Sequence, residues 1–192
     1  MSEKNKKRED ILLSARALFK EKGFHNTKMD DIALSAGVGK GTLYEYFKNK
    51  QEIFDETCIE CVTIVREDIE KIGNMDVTFK DKLVLLFNEK QESLYLEDIA
   101  IDKIMAYKNV ISERVVKTMF NHVSDIYSII EKIVDQGKEE GVVIKNIPSD
   151  IIACSLVGTM SEYYRIRMDS KKYEINEKDI IFNLLFNGFG VK

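Results

Sequence analysis

Three groups of residues in this chain have types and spacings that chemistry could use. The first is the C-x-x-C pair Cys58 and Cys61. On a helix these are i and i+3 and share a face. A zinc site needs about four ligands, and the other candidates, Cys154, His25 and His122, are distant in sequence. Redox motifs of this kind sit beside a βαβ unit, and no alternating strand pattern is present. Packing is therefore the favoured reading, with redox sensing as the alternative. The second group is Gly37 to Thr42, which looks like a phosphate loop. Here Lys40 is followed by Gly41 rather than Ser or Thr, and no strand precedes it, so that reading fails. The third is Thr27 to Phe54, which leaves Thr42, Tyr44 and Glu45 facing outward from a short helix of the kind that fits a DNA major groove. With two histidines and no nucleophile elbow, metal-binding histidine pair or dinucleotide fingerprint, an enzyme is not expected. No metal and no cofactor are expected either.

The elements that must position the third group can be read locally. Thr27 is a good helix N-cap, and Asp30, three residues on, makes a near capping box and suits a positive helix end. Met29, Ile32, Ala33 and Ala36 fall on one face at helical spacing. Gly37 sits where a left-handed residue would stop the helix. Val38 is an apolar plug, and Gly39 lets the chain restart. A second helix over Lys40–Tyr46 turns Leu43 and Phe47 inward. Two short helices joined by a glycine turn are the helix-turn-helix plan.

Around this motif the pattern stays helical. Residues 1–6 are polar and expected to be disordered; Lys4, Lys6, Lys7 and Arg8 either trail along DNA or form a solvated tail. A first helix is expected from about Lys7 to Lys22, with Ile11, Leu12, Ala15, Leu18 and Phe19 on one face. Gly23 ends it, and Phe24 folds back on its last turn. His25 lies in the following loop. Asn49 and Glu52 form a capping box for a fourth helix running to about Ile72, the natural mechanical link to the rest of the chain. Further helices are expected over 78–95, 99–110, 113–140, 149–169 and 176–188. Gly141 stops the long middle one, and Pro148 opens the next. The last two carry apolar residues on several faces, a pattern that a second copy of the chain would bury.

The 192 residues can bury a real core, and 32% charged residues argue for a soluble protein. No run of ~18 apolar residues is present to span a membrane. The N-terminus lacks the apolar segment of a secretory signal. Three cysteines fit a reducing compartment, so a cytoplasmic protein is expected. The net charge of −4 hides a division: the first fifty residues hold eleven Lys/Arg and seven Asp/Glu, and the remainder is acidic. A local basic face, rather than overall charge, is the footprint that phosphate requires.

Thr27, Ile32-Ala33, Ala36-Gly37-Val38, Lys40-Gly41-Thr42-Leu43-Tyr44, Tyr46-Phe47 and Lys48-Asn49-Lys50 together resemble the DNA-binding signature of the TetR/AcrR family of bacterial transcription regulators. The resemblance covers roughly residues 7–55. One departure is Gly39, where the family often has Ser. The resemblance implies an all-α protein with a helix-turn-helix domain over 1–50 and a helical ligand-binding and dimerisation domain over 51–192. It implies DNA contacts from Thr27, Lys28, Lys40, Gly41, Thr42, Tyr44, Tyr46 and Lys50. By chemistry, Thr27, Tyr44, Tyr46 and Lys50 suit phosphates. Lys28, Lys40 and Thr42 suit base edges, and Gly41 suits close approach of the backbone. Tyr46 has an equal claim to a place in the core.

The resemblance also implies a homodimer through the helices at about 149–169 and 176–188, bound to a palindromic double-stranded operator. A small apolar effector would release the DNA, so repression is the expected outcome. Candidate lining residues for the effector are Phe87, Tyr95, Met105, Tyr107, Phe120, Val123, Tyr127 and Tyr164, each with plain core packing as its alternative. The competing reading of the whole is a DNA-binding regulator controlled by oxidation or by a protein partner.

Overall fold

The computed structural model of the protein describes residues 3–87, 111–169, 183–185 and 187, without the side chains of residues 161 and 163–169. Among the described residues it is helical, with no strand. The helices are α1 (Glu3–Asn26), α2 (Met29–Ser35), α3 (Lys40–Tyr46), α4 (Lys50–Gly73), α5 (Phe79–Leu86), α6 (Glu113–Glu139) and α7 (Ser149–Asp169). The expected helix at 99–110, the second half of that at 78–95 and most of that at 176–188 lie outside the described residues. So do the candidate lining residues Tyr95, Met105 and Tyr107 and the side chain of Tyr164.

The chain forms two compact units. The first holds the residues up to Cys61 together with 111–118; the second begins at Val62 and takes up the chain again at Met119. This differs from the boundary at residue 50 expected from the sequence. The reason is packing: Ile53 and Phe54 of α4 are buried in the first core, and Ile111 packs against it.

In the first unit, Ile11, Leu12, Ala15 and Phe19 of α1 meet Ile32 and Ala33 of α2, and Leu43 and Phe47 at α3. Helix α1 starts at Glu3, not Lys7, so the expected disordered tail is corrected. Polar residues suffice there because Lys7 and Glu3 pair one turn apart at 3.2 Å, on top of good helix propensity. Gly23 then takes φ 75°, ψ 162°, which breaks the regular helix. Phe24 folds back as expected, its ring 4.9 Å from that of Phe54 and 5.8 Å from that of Phe19. Phe19 meets Phe54 edge-on at 5.1 Å. Gly37, at φ 66°, closes α2: the Val38 N–H reaches the Ala33 carbonyl and the Gly37 N–H reaches that of Leu34. This is the two-bond ending that a left-handed residue permits.

The second unit packs the later part of α4, α5, α6 and α7 around Phe79, Leu83, Ile130, Ile133, Val134 and Leu156. Leu185 packs against the same core. One charged residue lies inside it. Lys82 is buried, and its ammonium donates to the Gly73 carbonyl at 2.7 Å and to Gln136 Oε1 at 2.6 Å. Gln136 donates onward to the Val77 carbonyl and to Glu140, whose carboxylate accepts from the Phe79 N–H at the start of α5. One polar chain thus closes the end of α4, opens α5 and fixes both to α6. Lys138 does the same for α7, donating to the Ile147 carbonyl and to Ser149 Oγ.

Gly137 on α6 shows how tight this packing is. A Cβ there would lie 2.6 Å from Val143 Cγ2 and 2.7 Å from the Phe79 ring. Both neighbours are fully buried and cannot move aside. Alanine is the better helix former by about 1 kcal/mol, but overpacking costs about 1–3 kcal/mol. We expect Gly137→Ala to lower the unfolding free energy in urea; a more stable variant would show that the contact yields.

Candidate nucleic-acid interface

Helix α3 is only seven residues long, too short to hold itself together in water. It is fixed by Leu43 and Phe47, both buried, with the Phe47 N–H closing the last turn on the Leu43 carbonyl. That anchoring decides what its other face presents. Lys40, Gly41, Tyr44 and Glu45 are exposed, and Thr42 is partly so. Tyr44 is 46% exposed, so its ring stands clear of the core. A Cβ at Gly41 would meet nothing within 4 Å, so nothing inside the protein demands a glycine there. Lys28 is exposed at the N-cap of α2, and its backbone N–H donates to Asp31 Oδ2 at 3.1 Å. These five expected DNA-facing residues, Lys28, Lys40, Gly41, Thr42 and Tyr44, lie on or next to the two helices of the motif with side chains or backbone open to solvent.

The other three are placed differently. Thr27 does not cap α2 and does not face solvent. It is fully buried, and its hydroxyl donates to the Gly23 carbonyl at 2.8 Å and towards that of Leu18 at 3.3 Å. Its backbone N–H also reaches the Gly23 carbonyl. The hydroxyl thus bonds back to carbonyls of α1 instead of forward into α2. A phosphate role for its side chain is corrected accordingly.

Lys50 bonds to the same stretch of chain. Its ammonium donates to the carbonyls of Phe24 at 2.5 Å, Thr27 at 2.8 Å and His25 at 3.3 Å, and lies 4.3 Å from the centre of the Phe24 ring. Burial lowers its pKa; the three carbonyls act in the opposite sense, because they bind the charged form. An ammonium with three acceptors already in place is not offering itself to DNA, so the phosphate role expected of Lys50 is corrected to a positioning role. A signal existed in the sequence: a lysine at the first position of a helix opposes the helix dipole, so something else must require it. Tyr46 is half-buried and packs against the first core, the packing alternative allowed for it.

The structure adds two features that local reading does not find. Lys40 is paired with Asp30, its ammonium 2.7 Å from Oδ1 and 3.1 Å from Oδ2, and this pairing raises the lysine pKa. Arg8 is not a trailing basic residue. It donates to Glu56 at 2.7 Å and lies 5.2 Å from the centre of the Phe47 ring, directly behind α3. The other carboxylate oxygen of Glu56 is 3.5 Å from Arg114 at the start of α6. Nearby, burial pushes the Glu60 carboxyl up, and Arg16 and Arg8 pull it back.

Of the candidate effector-lining residues, Phe87 is buried, and Val123 and Tyr127 are half-buried. Burial raises the Tyr127 phenol pKa. Phe120 is 72% exposed and is corrected as a lining residue. The buried stripe of α6 runs through Val115, Met119, Ile126, Ile130 and Ile133, and Phe120 is turned about 100° away from it. On the same helix His122 has a buried Nδ1 with no hydrogen-bond partner among the described residues, while its Nε2 lies 3.4 Å from Thr63 Oγ1. Cys61 is buried and Cys58 packs against the first core, the arrangement expected of packing residues. Among the described residues, no cluster of three or more His, Cys, Asp or Glu could hold a metal.

The two kinds of lysine can be separated by experiment. Lys50→Met keeps the alkyl stem beside Phe24 but strips three carbonyls of their donor. It should cost about 1–3 kcal/mol of unfolding free energy and leave the log–log dependence of DNA affinity on salt within about half a unit of wild type. Lys28→Ala should do the reverse, narrowing the affinity gap between the preferred and a shuffled duplex by about 1–3 kcal/mol with no loss of stability. A flattened slope in a fully stable Lys50→Met protein would return Lys50 to the phosphate backbone.

Comparison with known proteins points to the same part of the chain. The model of the bacterial regulatory proteins of the tetR family matches residues 11–57, from α1 into α4. The fatty acid metabolism regulator protein of Bacillus subtilis is 27% identical over 181 residues, covering 91% of both chains. The crystal structure of the transcriptional regulator FadR from Bacillus subtilis in complex with stearoyl-CoA superposes with a TM-score of 0.70 at 24% identity, covering 94% of this chain and 98% of that one. A TetR-family transcriptional regulator from Cytophaga hutchinsonii gives a TM-score of 0.77 at 19% identity over 100% of this chain and 98% of its own. The last two likenesses speak for the fold alone. The helix-turn-helix region of this chain is thus similar to that of the tetR-family regulatory proteins, and a regulator of fatty acid metabolism aligns along nearly its whole length.

Proposed function

We propose that this regulator is a dimeric repressor that leaves its operator when it binds a long-chain fatty acyl-CoA. One observation carries the effector class. The family model stops at residue 57, whereas the similarity to the Bacillus subtilis regulator of fatty acid metabolism continues over 181 residues. The likeness therefore runs through the second unit, where effectors of such proteins differ. An acyl chain suits a helical unit rich in large apolar residues. Its polar end needs a hydrogen-bonding group in an otherwise apolar setting, and the buried Nδ1 of His122, beside Met119 and Val123 on α6, is a suitable one. The effector acts by binding one arrangement of the dimer better than the other.

The DNA reading within this proposal follows the chemistry of the exposed residues. Tyr44 takes a phosphate, Lys28, Lys40 and Thr42 meet base edges, and Gly41 lets the backbone approach. Two copies of α3 about one helical turn (~34 Å) apart require a two-fold operator. The dimer is supported by α7, where Ile151, Cys154, Ser155 and Gly158 are all exposed in the single chain and share one face at i, i+3, i+4 and i+7. Small residues there permit close helix approach. Leu184, 70% exposed, adds a second apolar group. A protein that works on chromosomal DNA belongs in the cytoplasm, and among the described residues no helix is long and apolar enough to cross a membrane.

The test uses the duplex that the protein enriches from a random pool. Stearoyl-CoA at low micromolar concentration should release it, and coenzyme A alone should not. A complex that survives stearoyl-CoA would sink the acyl-CoA reading while leaving DNA binding intact. Sedimentation at micromolar concentration should give twice the 22.2 kDa chain mass; a monomer would refute the α7 interface and the palindrome together.

A further inference from the structure

We propose that Asp30 is a specificity-determining residue of the DNA-reading surface: it holds the Lys40 ammonium away from indiscriminate phosphate contact and yields it to a base edge. The inference rests on reading α3 as the helix that enters the groove. Asp30 lies in the first turn of α2, and Lys40 is the first residue of α3. Both oxygens of Asp30 lie within 3.1 Å of the Lys40 ammonium, and the two side chains are 65% and 62% exposed.

The fold does not need Asp30 for the role that its position suggests. The N-terminal turn of α2 is already served by the next residue, because the Lys28 N–H donates to Asp31. Nor is the pair a strut, since ion pairs this exposed contribute little to stability. Its consequence lies in what it does to Lys40. An unpaired ammonium at the N-terminal end of a recognition helix would bind any phosphate within reach, releasing a counterion regardless of sequence. Paired with Asp30 it brings little net charge to random DNA, and the carboxylate itself repels a phosphate that comes close. A guanine edge, which offers two acceptors and no charge, can take the ammonium without bringing an anion against Asp30. The pair therefore penalises the wrong sites more than the right one, which is how repulsive elements produce discrimination.

The experiment compares full-length wild type, Asp30→Asn, Lys40→Met and the double variant. Each is titrated with the duplex that wild type enriches from a random pool and with a shuffled duplex of equal length, over roughly 100–300 mM salt. Asp30→Asn should bind the shuffled duplex about 5–20-fold more tightly and the enriched one nearly as wild type does. Its salt slope on shuffled DNA should steepen by about one unit per subunit. In the Lys40→Met background the same change should have little effect. Three results would overturn the proposal. Equal tightening on both duplexes would make Asp30 a general repulsive charge. Weaker binding to the enriched duplex without tighter binding to the shuffled one would mean that the carboxylate reads a base itself. An undiminished effect without Lys40 would break the link between the two residues. Wild type that enriches no duplex at all would instead overturn the placement of α3 on which the proposal stands.

Discussion

The first unit depends on how the end of α1 is satisfied. Gly23 turns the chain through a left-handed residue, and the carbonyls around that turn take donors from outside the helix. Thr27 and Lys50 supply the donors. The two residues flank the motif, one just before α2 and one at the start of α4, so a single set of hydrogen bonds fixes both ends of the helix-turn-helix to the helix behind it. The Phe19, Phe24 and Phe54 rings lie beneath the same joint. A helix of seven residues such as α3 has no stability of its own; its orientation is inherited from this joint and from Leu43 and Phe47 in the core.

The second unit solves a similar problem by a different route. Its helix ends lie close together, and the carbonyls of Gly73 and Val77 and the N–H of Phe79 are met by Lys82, Gln136 and Glu140. Breaking such a network at one member leaves the others unpaired at a cost larger than one hydrogen bond. That makes this end of the second unit a rigid frame.

What the sequence revealed and what it hid divide along the range of the interaction. Gly37 and Gly141 could be read as helix stops because a left-handed residue is a local demand, and both have positive φ. The Asn49 cap could be read because its partner is three residues away: the Glu52 N–H donates to Asn49 Oδ1, though the Glu52 carboxylate accepts from the Lys48 N–H rather than from that of Asn49. The apolar stripes of α1 and α2 place their cores correctly. Lys50, Arg8 and Lys82 were opaque because their partners lie 9 to 54 positions away in directions that periodicity does not encode. Two of them still left a trace. Lys50 is a cation at the wrong end of a helix dipole, and Lys82 falls between Phe79 and Leu86 on the buried face of α5. A charged residue that breaks a local rule marks a long-range bond before the bond is seen.

The same point changes how the charge of this protein should be counted. The first fifty residues are basic on paper, as a DNA binder requires. Within them Lys7 is paired with Glu3, Arg8 with Glu56, Lys40 with Asp30, and Lys50 is spent on carbonyls. Glu3 and Asp30 are already counted in that composition and Lys50 keeps its charge, so the long-range field is nearly unchanged; what shrinks is the number of cations free for close phosphate contact, and the non-specific term with it. A regulator must find one site among a great excess of others, and the quantity that matters is the ratio of the two affinities rather than either alone. Committing cations to internal partners lowers the denominator of that ratio, and the Lys7–Glu3 and Arg8–Glu56 pairs do so at positions other than the residues proposed to meet base edges.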